Sequence, residues 1–203
     1  VDGMPFSVRT GLSGLLTRRL RAKLLGGWAW GFYESGPTYS GPVGHAELGF
    51  RWGDLALESG ISAHYERRFE DSTVTNFTAE HRVGAEITQN FFDKRFGLSA
   101  DFAYIDRDFS ELQAETVEVQ GETFKRVRNF KNQDVFLPDD MHDQLIRVGA
   151  GISGKYTKWG ELGVQYEYVQ NLTNDQVDIP QQNFTSLRRF QQHQIKLNAT
   201  FQY

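Results

Sequence analysis

Strict alternation between apolar and polar side chains runs through residues 195–203, IKLNATFQY. One parity gives Ile195, Leu197, Ala199, Phe201 and Tyr203, and the other gives Lys196, Asn198, Thr200 and Gln202. Successive side chains of a β-strand point to opposite sides of its sheet. The segment is therefore predicted to be a strand with one apolar and one polar face.

The same alternation recurs along the whole chain, which predicts a single all-β domain over residues 1–203. We predict nine antiparallel strands, near 5–16, 19–33, 42–53, 55–67, 76–89, 95–106, 143–157, 160–171 and 189–203. The longest apolar runs are far shorter than the roughly 18 residues that a membrane-spanning helix needs, which excludes such a helix. A net charge of -4 is too mild to favour nucleic acid, and with 0 Cys neither disulfides nor thiolate metal sites are possible.

The connections between the predicted strands alternate in length. Short turns lie near 17–19, 53–54, 90–94 and 157–160, and long polar stretches lie at 34–41, 67–76, 106–142 and 171–188. Short turns on one side and long loops on the other are typical of outer-membrane barrels. This pattern predicts a transmembrane β-barrel in the bacterial outer membrane, with the long loops outside. The longest of them, the extracellular loop 106–142, is expected to contain a hairpin of residues 111–119 and 122–130 around Gln120-Gly121.

A repeated motif affects the strand count. The pattern Gly-x-Ser-Gly-x-x-Thr occurs at residues 11–17 and again at 151–157, and at the second site it enters a predicted periplasmic turn. The first copy is therefore also expected to lead into a periplasmic turn, which predicts that residues 5–16 form a strand. Bacterial single-chain barrels normally have an even number of strands, so nine suggests the C-terminal part of a larger barrel. Complete barrels of eight or ten strands are the alternatives. Residues 1–7 lack the features of a signal peptide, so we expect either a removed signal or a start within a longer protein.

A family resemblance follows from two hairpin segments and from the last residue. Residues 6–20, FSVRTGLSGLLTRRL, and residues 41–52, GPVGHAELGFRW, resemble hairpins of the porin-2-like outer-membrane barrels. The terminal Tyr203, after alternating apolar residues, resembles the aromatic C-terminal signature of bacterial outer-membrane barrels in general. The resemblance implies the barrel architecture, and it implies a role in solute passage or exopolysaccharide export. It implies no catalytic residue.

The polar parity of the strands carries charges of both signs. The residues predicted to line the lumen are Arg9, Arg19, Arg21, Lys23, Glu47, Arg51, Glu58, His64, Glu66, Glu80, Arg82, Glu86, Asp101, Arg147, Glu161, Glu167 and Lys196. In a narrow barrel these charges must pair and form a plug, because a lone buried charge is costly. In a wide barrel they line water and set weak selectivity.

Aromatic residues of the other parity gather toward the ends of strands, as in the two aromatic girdles of an outer-membrane barrel. They are Trp28, Trp30, Phe32, Phe50, Trp52, Tyr104, Tyr156, Tyr166, Tyr168, Phe201 and Tyr203. The competing interpretation is the aromatic core of a soluble β-sandwich.

Two groups of residues are candidates for chemistry. Ser62, His64 and Glu66 share the polar parity of one strand, as a hydrolase triad would require, but ordinary lumen filling explains them more simply. Asp139, Asp140, His142 and Asp143 could bind calcium, although they lack a fixed ligand spacing. We therefore predict no catalytic residue, metal site or cofactor.

Three functions remain open from the sequence. The preferred one is a transport pore, or the C-terminal part of one, for solutes or polysaccharide. The second is a plugged structural barrel that anchors an envelope or cell-surface complex, and the third is a lipid-modifying enzyme. The expected partner is outer-membrane lipid, with other envelope proteins or further strands of a larger barrel as additional candidates; nucleic acid is not expected.

Overall fold

The computed structural model describes residues 3–34, 36–54, 56–72, 75–110, 115–119, 122–128, 134–138, 141–157, 160–173 and 190–201. Across these residues the regular structure is entirely β, and every strand pairing is antiparallel. The all-β antiparallel prediction is therefore confirmed. The described residues contain no helix that is long and apolar enough to cross a membrane.

Nine strands form one large sheet in the order β1-β2-β3-β4-β5-β6-β10-β11-β12. Their bounds are β1 Gly3–Leu15, β2 Leu20–Tyr33, β3 Tyr39–Gly53, β4 Leu57–Asp71, β5 Phe77–Phe91, β6 Phe96–Phe109, β10 His142–Thr157, β11 Gly160–Asn171 and β12 Gln191–Phe201. Each strand pairs with its neighbour along the sheet. In the described part of the chain β1 pairs only with β2, and β12 only with β11, so the sheet is open and not closed into a barrel.

A second sheet of three strands is inserted between β6 and β10. Its strands are β7 Glu115–Val119, β8 Glu122–Arg128 and β9 Asp134–Pro138, in the order β7-β8-β9. The predicted hairpin of 111–119 and 122–130 corresponds to β7 and β8, although residues 111–114 and 129–130 lie outside the described ones. The third strand, β9, was not predicted. Its five residues hold one Pro and no regular alternation, so only pairing with β8 identifies them as a strand.

The short turns all leave the same end of the large sheet, which we call the short-turn end. The opposite end, where the chain leaves for residues 34–38, 72–76, 110–141 and 172–190, is the long-connection end. The turn between β5 and β6 places Phe92, Asp93 and Lys94 in the left-handed region, with φ of 52°, 55° and 65°. Both copies of the Gly-x-Ser-Gly-x-x-Thr motif end at short turns, as the repeat predicts.

Several predicted strand ends were too short at the long-connection end. The ladder between β4 and β5 continues to the Asp71–Phe77 pair, and that between β5 and β6 to the Thr78–Phe109 pair. The extra pairs are mostly polar, and polar side chains interrupt the alternation without interrupting the backbone hydrogen bonds. Arg19 was predicted on a strand but lies in the turn before β2, where the Thr17 hydroxyl oxygen accepts hydrogen bonds from the backbone N–H groups of Arg19 and Leu20 at 3.2 and 3.0 Å.

Candidate functional site

The charged residues predicted to line a lumen lie together on one face of the large sheet. Cα partners in adjacent strands share a face, and so do residues two apart within a strand. By the register of the nine strands, every residue of that predicted set except Arg19 belongs to one side, which we call the charged face. The register brings these residues together. Whether they line a lumen stays a prediction.

Ion pairs across neighbouring strands connect much of the charged face. Arg21 of β2 forms a close pair with Glu47 of β3, and Lys196 of β12 lies 3.1 Å from Glu167 of β11. Other pairs are looser, such as Arg147 with Asp101 at 3.6 Å. Both signs therefore occur across the charged face, and several of the charges are paired between neighbouring strands.

The charged face is tightly packed toward the long-connection end. Glu80 has 0% exposure there, between two arginines on the flanking strands. Arg68 Nε donates to one carboxylate oxygen of Glu80 at 2.9 Å, and Arg107 Nε donates to the other at 2.6 Å. A buried carboxylate held by two guanidinium groups is well compensated, because both oxygens have charged donors.

Apolar and amide side chains complete this packed region. Ala103, Ile105 and Leu145 are buried on the charged face beside the arginines. Asn171 is also buried, and its side-chain amide donates to Asp143 at 3.2 Å. We call this region, from Arg68 to Asn171, the packed layer.

The opposite side of the sheet is apolar and largely exposed. Its large exposed side chains are Met4, Phe6, Val8, Leu12, Leu24, Trp28, Phe32, Leu48, Phe50, Trp52, Leu57, Ile61, Tyr65, Val83, Ile87, Leu98, Phe102, Val148, Ile152, Leu162, Val164, Tyr166, Ile195 and Leu197. We call this side the apolar face. In the part of the chain that the structure describes, no second sheet covers it, although a soluble sandwich would require one.

Aromatic side chains of the apolar face lie toward both ends of the strands. Trp28, Trp30 and Phe32 occupy the last six residues of β2 at the long-connection end, and Phe50 and Trp52 occupy the last four residues of β3 at the short-turn end. Two tyrosine hydroxyls on this face are hydrogen-bonded to histidines. The Tyr65 hydroxyl lies 2.7 Å from His81 Nδ1, and the Tyr166 hydroxyl lies 2.7 Å from His193 Nδ1. The side chains of Tyr156 and Phe201, and all of Tyr203, lie outside the described residues.

An aromatic cluster at the long-connection end was not predicted. Tyr39 stacks on Phe69 with ring centroids 4.7 Å apart and meets Phe77 edge-on at 4.9 Å. By alternation alone, Tyr39 belongs to the charged face and Phe69 to the apolar face. The ladder between β3 and β4 ends at the Gly44–Arg67 pair, so beyond it Phe69 can turn toward Tyr39.

Neither candidate group for chemistry forms a connected site among the described residues. Among the described residues no hydrogen bond joins Ser62, His64 and Glu66; Glu66 lies 3.7 Å from Arg9, and the His64 ring stacks on His45. Of the predicted calcium ligands, Asp139 and Asp140 lie outside the described residues, while His142 Nδ1 lies 2.7 Å from Asp108. No group of three His, Cys, Asp or Glu side chains in the described ranges could hold a metal ion.

Comparison with protein-family models, with curated proteins and with solved structures found no match to this chain. The resemblance to porin-2-like barrels therefore stays a prediction.

Proposed function

We propose that this chain forms part of a β-barrel in the bacterial outer membrane and acts as a transport pore for solutes. The observation that carries the proposal is the contrast between the two faces of the nine-stranded sheet. The apolar face is exposed from β1 to β12, and the charged face carries paired ions. Lipid outside and water inside is the environment that suits this contrast.

The size of the apolar face supports an environment other than water. Nine strands spaced about 4.8 Å apart span roughly 40 Å, and the nine residues from Phe96 to Tyr104, which are eight steps apart, add about 27 Å along a strand. The resulting patch of roughly 1,000 Å² exceeds the 300–600 Å² of the largest patches on typical monomers. At about 25 cal/mol per Å², covering it would stabilise the protein by roughly 25 kcal/mol.

The height of the apolar face also suits a membrane. A strand length of about 27 Å, tilted by about 40°, rises roughly 20 Å, close to the apolar band of about 25 Å in outer-membrane barrels. Aromatic side chains at the long-connection end of β2 and at the short-turn end of β3 match the two interfacial girdles. Outer-membrane lipid is therefore the partner proposed for this face.

The open edges of the sheet require further strands in this proposal. Unpaired backbone N–H and C=O groups of β1 and β12 would each cost several kcal/mol in hydrocarbon. Additional amphipathic strands that pair with both edges would remove that cost and widen the barrel. A wider barrel leaves water between the charged side chains, which favours a pore.

The test is conductance of the intact polypeptide that carries this sequence, reconstituted into a planar lipid bilayer. We expect discrete conductance steps with weak ion selectivity, because the charged face carries side chains of both signs. A bilayer that stays silent with correctly folded, full-length protein would refute the pore.

A second candidate, the plugged structural barrel, is favoured by the packed layer. Glu80, Ala103 and Leu145 exclude water at the long-connection end of the charged face, as the filling of a narrow barrel would. The intact mass separates the two candidates. A polypeptide near 23.2 kDa would leave room only for a narrow barrel, whereas a much larger one would allow a pore.

A further inference from the structure

A groove on the charged face, near the short-turn end, has features of a binding site. It has a volume of about 250 Å³ and lies across strands β2 to β5. The side chains that border it are Arg21, Arg51, Ser62, Glu86 and Thr88, with Gly49 and Gly60 in the floor. Pockets for drug-sized ligands start near 300 Å³, so this groove suits something smaller, such as one sugar ring.

Two adjacent lateral rows of residues build the groove. The first row runs Arg21–Gly49–Ser62–Glu86 across four strands, and the second runs Arg51–Gly60–Thr88 across three. Both arginines therefore stand on one side of the glycine floor. The carboxylate of Glu86 stands on the other side, about three strand spacings or 14 Å from Arg21 in Cα position.

The floor is low because glycine occupies the middle of both rows. A Cβ at Gly49 would meet its nearest atom, the Ser62 Cβ, at 3.7 Å, which is ordinary contact. Packing therefore does not require glycine at position 49, even though glycine weakens a strand interior. Glycine at such a position often marks the close approach of a ligand.

Each arginine at the rim has an ion-pair partner but remains half exposed. Arg21 pairs closely with Glu47. Arg51 lies 3.8 Å from Glu58, but Lys94 already binds that carboxylate at 3.0 Å. The side chains of Arg21 and Arg51 are 55% and 54% exposed. Among the residues that the structure describes, Glu86 has no ion-pair partner.

We propose that this groove binds an acidic sugar, with its carboxylate at Arg51 and Arg21 and its hydroxyls at Ser62, Thr88 and Glu86. Arginine presents several donors to a carboxylate and makes the stronger, charge-assisted hydrogen bonds. The carboxylate of Glu86 accepts hydrogen bonds from sugar hydroxyls but repels a second negative charge. The ligand class is thus a sugar with one carboxylate. This ligand would be a solute of the proposed pore, so the biological role of the groove rests on the proposed function, whereas binding itself does not.

The experiment is isothermal titration of the purified full-length protein in detergent with sodium glucuronate, and with glucose as the neutral comparison. We expect glucuronate to bind and glucose to bind at least ten times more weakly. Arg51→Gln should weaken glucuronate binding about 10- to 100-fold, as the loss of a charged hydrogen-bond partner predicts. Arg18→Gln is the matched control, because it removes the same charge in the adjacent short turn, outside the groove, and should leave binding unchanged.

A second variant keeps the test valid if Arg51→Gln does not fold. Gly49→Val places a β-branched side chain on the groove floor, where the first carbon has room, and it should abolish glucuronate binding while the protein still folds. Equal binding of glucose and glucuronate, or unchanged binding in Arg51→Gln or Gly49→Val, would overturn the proposal. Conductance without glucuronate binding would refute the proposed binding site but not the proposed pore. Glucuronate binding without conductance would refute the proposed pore but not the proposed binding site.

Discussion

Val164 and Gln165 are neighbours on β11 that point to opposite faces of the large sheet, so they offer a direct test of a lipid-facing apolar face. Val164 is 43% exposed and pairs with Ile152 and Leu197, all on the apolar face. Gln165 pairs with Gly151 and Lys196 on the charged face. Replacing each with arginine adds the same charge and the same bulk at the same height.

The expected cost follows from the depth of Val164 in the proposed bilayer. It lies four residues above the start of β11, about 14 Å along the strand and roughly 10 Å in height, near the middle of a band of about 25 Å. Arginine on the lipid face at the midplane costs about 2–4 kcal/mol. Val164→Arg should therefore lower the folding equilibrium constant roughly 30- to 700-fold. Gln165→Arg should cost about 1 kcal/mol or less, because Lys196 lies directly opposite while Glu167 lies two residues away on the same face.

The assay is urea unfolding of the full-length protein in phosphocholine vesicles, followed by tryptophan fluorescence. If the apolar face were instead exposed to water, both arginines would be nearly neutral. Equal stabilities of Val164→Arg and Gln165→Arg would therefore refute the lipid-facing assignment. A larger loss in Gln165→Arg would reverse the assignment of the two faces.

Two further predictions concern stability. Glu80→Gln should destabilise the protein by about 3–5 kcal/mol in the same urea titration, because Arg68 and Arg107 would lose their buried charged partner. The control is Glu70→Gln, which removes an exposed partner of Arg68 and should cost about 1 kcal/mol or less. Similar costs for the two variants would contradict the importance of the packed layer. Asp93→Gly should raise stability by about 0.5–1 kcal/mol, since glycine adopts its φ of 55° without steric penalty. A lower unfolding midpoint for that variant would show that the Asp93 side chain stabilises the turn.

The alternation of side chains predicted the strands and their two faces because the period of a strand is fixed by backbone geometry. Ile195, Leu197 and Ala199 fall on one side in any antiparallel sheet, whatever their neighbours are. The short turns force β1 with β2, β3 with β4, β5 with β6 and β10 with β11 to pair, whereas the pairings across the long connections come from the structure. Nothing in a single strand, however, reports its lateral register, and register decides which charges meet.

Glu80 shows what alternation could not predict. Its parity is the same as that of Glu86, yet Glu80 is buried and Glu86 is exposed. The difference arises because Arg68 and Arg107 are the Cα partners of Glu80, whereas Ser62 and Asp101 are those of Glu86. The groove was missed for the same reason, since Gly49 and Gly60 become one floor only in the register of β3 and β4.

The open order of the large sheet has a consequence for how it can be closed. Nine antiparallel strands place β1 and β12 in the same direction, both running toward the short-turn end. If β1 paired directly with β12, that pairing would be parallel. In a barrel made of two copies of the sheet in the same membrane orientation, β12 of each copy would pair with β1 of the other, and both of those pairings would be parallel too. An antiparallel seam on each side takes an odd number of added strands, which also makes the total even, as bacterial single-chain barrels require.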